Sequence, residues 1–109
     1  MVNSREKGKR GERECAAELN RLFGLECRRG QQFSGIEGKD VVGWPGVHVE
    51  CKRDERLNVI NALKQAIRDA RHELPVVIHR KNNSDWMITL RLEDLKELAR
   101  RVLEVGNEP

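Results

Sequence analysis

The sequence predicts an α/β fold in which helices pack on a mixed β-sheet. Three observations lead to this prediction. Apolar residues recur at helical spacing in three segments, one segment alternates strictly between apolar and polar residues, and turn-forming residues bound five short strand candidates. The expected order is helix, three strands, helix, two strands, helix. With 109 residues, the chain is expected to form one domain over residues 1–109.

The first part of the chain is predicted to contain one helix and two strands. Apolar residues return every three or four positions over about residues 5–23, and Gly24 then ends the helix. A short strand is expected over residues 25–29. A polar loop over residues 30–38, with three glycines, separates it from a second strand over residues 39–42.

The third strand, Val47–Lys52, has the clearest alternation in the sequence. Its odd-numbered residues are apolar, and its even-numbered residues are His48, Glu50 and Lys52. Successive strand residues point to opposite faces of a sheet, so the apolar set is expected to anchor the strand in the core. Glu50 and Lys52 would then share the other face with His48. We interpret His48 as a sheet-surface residue, and contact with phosphate is the alternative.

The second half of the chain is predicted to add a helix, two strands and a closing helix. Asn58 is a suitable N-cap for a helix that extends to about residue 73 with an apolar stripe along one face. Strands are expected over residues 75–80 and 86–90, joined by a polar turn. The last helix is expected over residues 92–103.

Composition argues against several classes of protein. No apolar run approaches the roughly 18 residues of a membrane span, and the N-terminal segment lacks the apolar stretch of a secretory signal, so a cytoplasmic location is expected. The three cysteines form no CxxC pair, and their odd number fits free thiols. With two Phe, two Trp and no Tyr, a stacking platform for single-stranded RNA is not expected.

The basic residues are clustered, although the formal net charge is only +3. Five of them fall within residues 5–13, and Arg28 and Arg29 follow as a pair. Clusters of this kind suit a polyanion such as nucleic acid. The alternative is an ordinary solvated surface, which a charge run alone does not distinguish from a binding site.

Asp40, Glu50 and Lys52 form the constellation with the clearest chemistry. Asp40 opens a strand after the glycine-containing loop, and Glu50 and Lys52 follow on one face of the next strand. Carboxylates suit Mg²⁺, the Cys51 carbonyl is a natural further ligand, and Mg²⁺ polarises a phosphate and lowers the pKa of bound water. Lys52 could orient that water or offset transition-state charge. The alternative is an exposed Glu–Lys pair, because a chain that is 36% charged produces E-x-K by chance.

Two glutamates of the first helix differ in helical phase. Glu12 lies four residues before Ala16 and seven before Leu19, so it continues the apolar stripe and is expected to point toward the sheet. Glu14 falls on the polar face and is expected to be solvated. The alternative for Glu12 is a partly buried acid that pairs with a local arginine.

The order and spacing of these motifs resemble the PD-(D/E)xK nuclease superfamily. Within it, the chain is most similar to the small archaeal-type Holliday junction resolvases and their phage-encoded relatives, over roughly residues 5–90. One departure is Lys39, which stands where the superfamily usually has a proline. The resemblance is carried by Gly11-Glu12-Arg13-Glu14, a basic strand, Ser34-Gly35, Gly38-Lys39-Asp40-Val41-Val42 and Val49-Glu50-Cys51-Lys52.

This resemblance implies a restriction-endonuclease-like fold and a Mg²⁺-dependent DNA endonuclease, with Mn²⁺ as a substitute. Metal binding would fall to Asp40, Glu50 and the backbone carbonyl of Cys51. Gln65 resembles the glutamine that many members carry on the following helix; an ordinary helix-surface amide is the alternative. The catalytic residues would be Glu12, near the metal directly or through a water, Asp40, Glu50, Lys52 and Gln65.

The resemblance also implies that the substrate is branched DNA and that the protein is a symmetric homodimer. The apolar residues of the strand over 86–90 and of the last helix offer surface for such a dimer. A nicking or flap-type nuclease of the same superfamily and a DNA-binding protein without catalysis stay open as alternatives. The residues expected to contact the DNA backbone are Arg10, Arg13, Arg28, Arg29, Ser34 and Arg53.

Overall fold

The computed structural model describes residues 4–30 and 40–105, and the side chains of residues 7–30 and 40–104. The predicted order of helices and strands is confirmed across these residues. Ser34, Lys39 and most of the loop predicted over residues 30–38 lie outside them. The elements are α1 (Ser4–Phe23), β1 (Arg28–Arg29), β2 (Val41–Val42), β3 (Val47–Lys52), α2 (Val59–Ala70), β4 (Leu74–His79), β5 (Met87–Thr89), a 3₁₀ turn (Leu92–Asp94) and α3 (Leu95–Val105).

The strands form one mixed sheet in the order β1-β2-β3-β4-β5. Strands β3 and β4 are parallel, with partners from Val47 opposite Leu74 to Lys52 opposite His79. The other three neighbouring pairs are antiparallel. Helix α2 makes the crossover that a parallel pair requires. A five-stranded mixed sheet with flanking helices matches the predicted restriction-endonuclease-like fold.

Helices cover both faces of the sheet. Helix α1 and Leu98 of α3 join the buried residues of β3 and β4 in the larger core. On the opposite face, Ala62 and Ala66 of α2 pack against Val77 of β4, and their small side chains let the helix lie close to the sheet. His48 faces α2 and is only 1% exposed, so its interpretation as a sheet-surface residue is wrong.

The structure shortens the strands that precede β3. Only Arg28 and Arg29 of the strand predicted over residues 25–29 enter the ladder, opposite the two residues of β2. The Asn20 side chain accepts a hydrogen bond from the Cys27 N–H at 2.6 Å and donates one to the Cys27 carbonyl at 3.0 Å. A helix side chain therefore satisfies backbone groups that a longer strand would have paired.

The bounds of α2 follow from local chemistry at both ends. Asn58 is confirmed as its N-cap, because the Asn58 side chain accepts a hydrogen bond from the Asn61 N–H at 3.0 Å. The helix ends at Ala70, three residues earlier than expected, where Arg71 adopts a φ of 56°. Among the helices described here, none has the length and apolar character that crossing a membrane would need.

Candidate active site

Asp40 and Glu50 come together because β2 pairs with β3. The antiparallel register sets Val41 opposite Val49, and the Asp40 N–H donates a hydrogen bond to the Val49 carbonyl at 3.1 Å. One Asp40 carboxylate oxygen accepts a hydrogen bond from the Cys51 N–H at 2.9 Å. Two acidic side chains, one from the residue directly before β2 and one from β3, are thereby brought close enough to interact.

The surroundings of Asp40 disfavour its ionised form. Burial, followed by the negative charge of Glu50, raises the pKa of Asp40 to about 7, and the hydrogen bond from the Cys51 N–H offsets part of this effect. Glu50 is itself only 2% exposed. A hard divalent cation such as Mg²⁺ or Mn²⁺ would offset the repulsion between two such carboxylates, so the oxygen donors fit a metal of this class.

Glu12 lies beside this pair and is held by an arginine. Its charge contributes to the raised pKa of Asp40, as expected for a carboxylate that points from α1 toward the sheet. The Arg29 Nε donates to a Glu12 oxygen at 2.8 Å, and the side chains are 29% and 21% exposed. Both interpretations of Glu12 therefore apply. Glu12 lies near Asp40, and it also pairs with Arg29, which we expected to contact DNA.

His48 has a role beside Glu50 that the sequence interpretation missed. The His48 Nε2 lies 2.9 Å from a Glu50 carboxylate oxygen, and both side chains are buried. An ionised carboxylate only accepts hydrogen bonds, so this ring nitrogen donates the proton when Glu50 is charged. The sequence shows that His48 shares the strand face of Glu50, but its burial depends on how α2 packs on that face, which has no local signal.

Asp69 of α2 approaches the same buried pair. Among the residues that the structure describes, His48, Glu50 and Asp69 each place one potential ligand atom within 4.8 Å of the other two. His48 and Glu50 already satisfy each other by a hydrogen bond. This geometry favours His48 as a side chain that orients Glu50 from behind rather than as a separate metal ligand.

Lys52 and Gln65 line a common groove. Lys52 is half-buried at the end of β3, and Gln65 is exposed on α2. The groove is open to solvent and runs beside α2, whereas the Glu50 carboxylate lies buried beneath the helix face. Lys52, named from the strand pattern, and Gln65, named by resemblance, thus lie beside one groove, which suits an extended substrate.

The Cys51 side chain is buried and contacts α1. Its thiol donates to the Gly11 carbonyl of α1 at 3.4 Å. A hydrogen bond with Cys15 and burial raise the pKa of the Cys51 thiol, so the side chain is a neutral core group. Metal binding by the Cys51 backbone carbonyl stays a prediction, as does the role of each predicted site residue.

Arg53 belongs to an internal ion-pair network. It pairs with Glu14 and also donates to the Asn82 side-chain oxygen at 2.7 Å, while Arg80 lies 3.7 Å from the same Glu14 oxygen. The expectation that Glu14 is merely solvated is therefore wrong. The Arg53 side chain passes over Gly11, where an added Cβ would lie 2.6 Å from Arg53 Cγ. This approach joins α1 to the ends of β3 and β4.

Three other arginines predicted to contact DNA are exposed at the surface. Arg10, Arg13 and Arg28 have no acidic partner among the residues that the structure describes, so their guanidinium groups are available to an external anion. Their contact with DNA stays a prediction. Ser34, the remaining predicted contact, falls in the stretch between the described ranges.

Comparison with known protein families identifies the family of this chain. The sequence profile of a family described as "Phage putative PDDEXK endonuclease" matches residues 3–107. Neither the curated proteins nor the solved structures gave a significant match. The narrower likeness to Holliday junction resolvases gains no confirmation from this match. Because the profile covers nearly the whole length, the chain belongs to the phage putative PDDEXK endonuclease family.

Proposed function

We propose that this protein is a Mg²⁺-dependent DNA endonuclease with its active site at Asp40, Glu50 and Lys52. The observation that carries the proposal is the pair of carboxylates, one directly before β2 and one on β3, with the pKa of Asp40 raised to about 7. Burying two acids that repel one another destabilises a fold, and carboxylates with pKa values perturbed in this way cluster at functional sites. In this proposal residues 1–109 form one nuclease domain, which acts in the cytoplasm of a bacterial, phage-infected or archaeal cell.

Asp40 and Glu50 would hold Mg²⁺, or Mn²⁺ in its place, together with the Cys51 carbonyl. The metal would polarise the phosphodiester and lower the pKa of a water molecule. Lys52 offsets negative charge on the phosphate in the transition state. Glu12 assists at the metal directly or through a water, and Gln65 contacts the substrate from α2. Hydrolysis breaks the bond from phosphorus to the 3′-oxygen and leaves a 5′-phosphate.

A gel assay with defined DNA substrates tests this function. Four-way junction, flap, nicked and linear duplex DNA are incubated with the protein in Mg²⁺, in Mn²⁺ and in chelator. Metal-dependent cleavage of at least one substrate supports the proposal. DNA binding without cleavage in either metal contradicts it and favours the alternative of a DNA-binding protein without catalysis.

We further propose that four-way junctions are the preferred substrate and that a homodimer cuts them. Resolving a junction requires two nicks on strands related by an approximate two-fold axis, and a two-fold dimer supplies two equivalent sites. Apolar surface near β5 and α3 supports such an interface, since Met87, Ile88 and Leu95 are 58%, 43% and 51% exposed. Cleavage of flap or nicked duplex DNA in preference to the junction would favour the other nucleases of the superfamily.

A further inference from the structure

The open groove beside α2 carries an excess of positive charge. We call it the α2 groove and define it by Lys52, Asn61, Lys64, Gln65 and Arg68. Asp54 also borders the groove, but one of its carboxylate oxygens accepts a hydrogen bond from the Arg56 N–H at 3.0 Å. The charged lining therefore consists of three cations and one acid that is already hydrogen-bonded.

The cations of the α2 groove are not paired with acids in the part of the chain that the structure describes. Lys52, Lys64 and Arg68 have no acidic partner among the residues that the structure describes. Elsewhere, arginines are bound by acids: Arg29 by Glu12 and Arg100 by Glu97. The groove is thus a place where positive charge is left for an external anion.

The side chains of the α2 groove suit a phosphodiester backbone. Lys64 and Arg68 are four residues apart, so they lie on one side of α2 with a separation of about 6 Å along its axis. One DNA strand that runs along the helix can contact both cations. Asn61 precedes Lys64 in the helix, and Gln65 lies between the two cations. The side-chain amides of both residues can donate hydrogen bonds to phosphate and sugar oxygens.

The position of the groove relates it to the proposed active site. Lys52 borders the groove and lies two residues from Glu50 on β3. Helices α1 and α2 cover opposite faces of the sheet, so the groove is on the other side from Arg10 and Arg13. DNA held by both sets would cross the end of β3 between them.

We infer that the α2 groove binds the phosphodiester backbone of DNA on the side of the active site opposite α1. The position of the groove relative to the cut rests on the proposed function. DNA binding by the groove does not depend on cleavage. The groove reads no bases, because its contacts go to phosphate and sugar. Its contribution to binding is therefore the same for every DNA sequence and depends strongly on salt.

The dependence of DNA affinity on salt in the presence of chelator tests the inference without cleavage. Lys64→Ala and Arg68→Ala should each reduce the slope of log affinity against log salt by about one, and the double variant by about two. Lys96→Ala is the matched control, since Lys96 is an exposed lysine on α3 and the variant should keep the wild-type slope. Both groove residues are exposed, so circular dichroism should report native folds.

Acetylation of lysines provides a local measurement. Bound DNA should slow the acetylation of Lys64 while leaving the rate at Lys96 unchanged, as followed by mass spectrometry. A wild-type salt slope in the double variant, or equal acetylation of Lys64 with and without DNA, overturns the inference even where the wild type cuts DNA. If DNA protects Lys64 from acetylation but the protein does not cut any DNA substrate, DNA binding by the groove is supported and the proposed endonuclease activity is contradicted.

Discussion

Asp40 makes the stability of the metal-free protein depend on pH. Its pKa in the folded protein, about 7, lies above the ordinary aspartate value of 3.8, so the folded protein holds this proton more tightly than the unfolded chain. The stability that the proton contributes is present below about pH 4 and is lost as the pH rises toward 7. In the proposed function, a metal bound at high pH would replace the proton and restore stability.

Chemical denaturation in chelator checks this dependence. Between about pH 4 and pH 7, the window set by the unfolded and folded pKa values of Asp40, the wild type should lose stability relative to Asp40→Asn, which has no carboxyl group to ionise. Mg²⁺ at pH 8 should stabilise the wild type more than the variant. Asp54→Asn, at an exposed position, is the control and should follow the wild type. If the free energies of unfolding of the wild type and Asp40→Asn change in parallel with pH, Asp40 does not cause the pH dependence.

His48 is expected to hold Glu50 in position. Replacing it with leucine removes the donor to a buried carboxylate, which should cost about 1–3 kcal/mol of stability and reduce Mn²⁺ affinity by roughly 10–100-fold. His48→Gln retains an N–H donor and should recover most of the metal affinity. Titration with Mn²⁺ followed by electron paramagnetic resonance measures it. If His48→Leu binds Mn²⁺ with the wild-type affinity, His48 does not position Glu50 for metal binding.

At the scale of the secondary-structure elements, the two glutamates of α1 have different contacts and are expected to have different roles. Glu12 approaches Asp40, so Glu12→Gln should slow cleavage strongly. Glu14 instead binds Arg53, so Glu14→Gln should lower the free energy of unfolding while leaving the cleavage rate per folded molecule close to that of the wild type. Cleavage assays and denaturation curves on both variants separate the effects. The reverse assignment would contradict the placement of α1 against the site.

The elements with a strong local pattern were predictable from the sequence. The alternation in Val47–Lys52 gave both the bounds and the two faces of β3, and Asn58 marked the start of α2 by its capping chemistry. Strand β1 was predicted too long because pairing between distant segments, rather than local propensity, decides where a ladder ends. The Asn20 side chain that replaces part of that ladder has no periodic signal.

The candidate site shows the same division between local and distant signals. The spacing of Asp40, Glu50 and Lys52 identified residues that share a face or a neighbouring strand. The burial of His48 was missed because it depends on how closely α2 packs, which its alanines set in three dimensions. The contact between Arg53 and Glu14 joins residues 39 positions apart, so helical phase alone placed Glu14 incorrectly in solvent.

At the scale of the whole molecule, the exposed apolar surface near β5 predicts self-association. Ile88→Glu should convert the proposed dimer to a monomer, because a charge would be buried at the interface. Ile60→Glu makes the same chemical change at an exposed isoleucine of α2 and should leave the dimer intact. Light scattering at micromolar concentration distinguishes the two states. A wild-type mass near 12.6 kDa, with and without DNA, would refute the dimer.

The most direct test of the proposed active site is the rate of single-turnover DNA cleavage in Mg²⁺. Asp40→Asn, Glu50→Gln and Lys52→Ala should each slow cleavage by at least ~10²-fold while they retain the fold and most of the DNA affinity. Lys96→Ala should cut at the wild-type rate. Wild-type rates in any two of the three site variants would contradict the assignment of the active site.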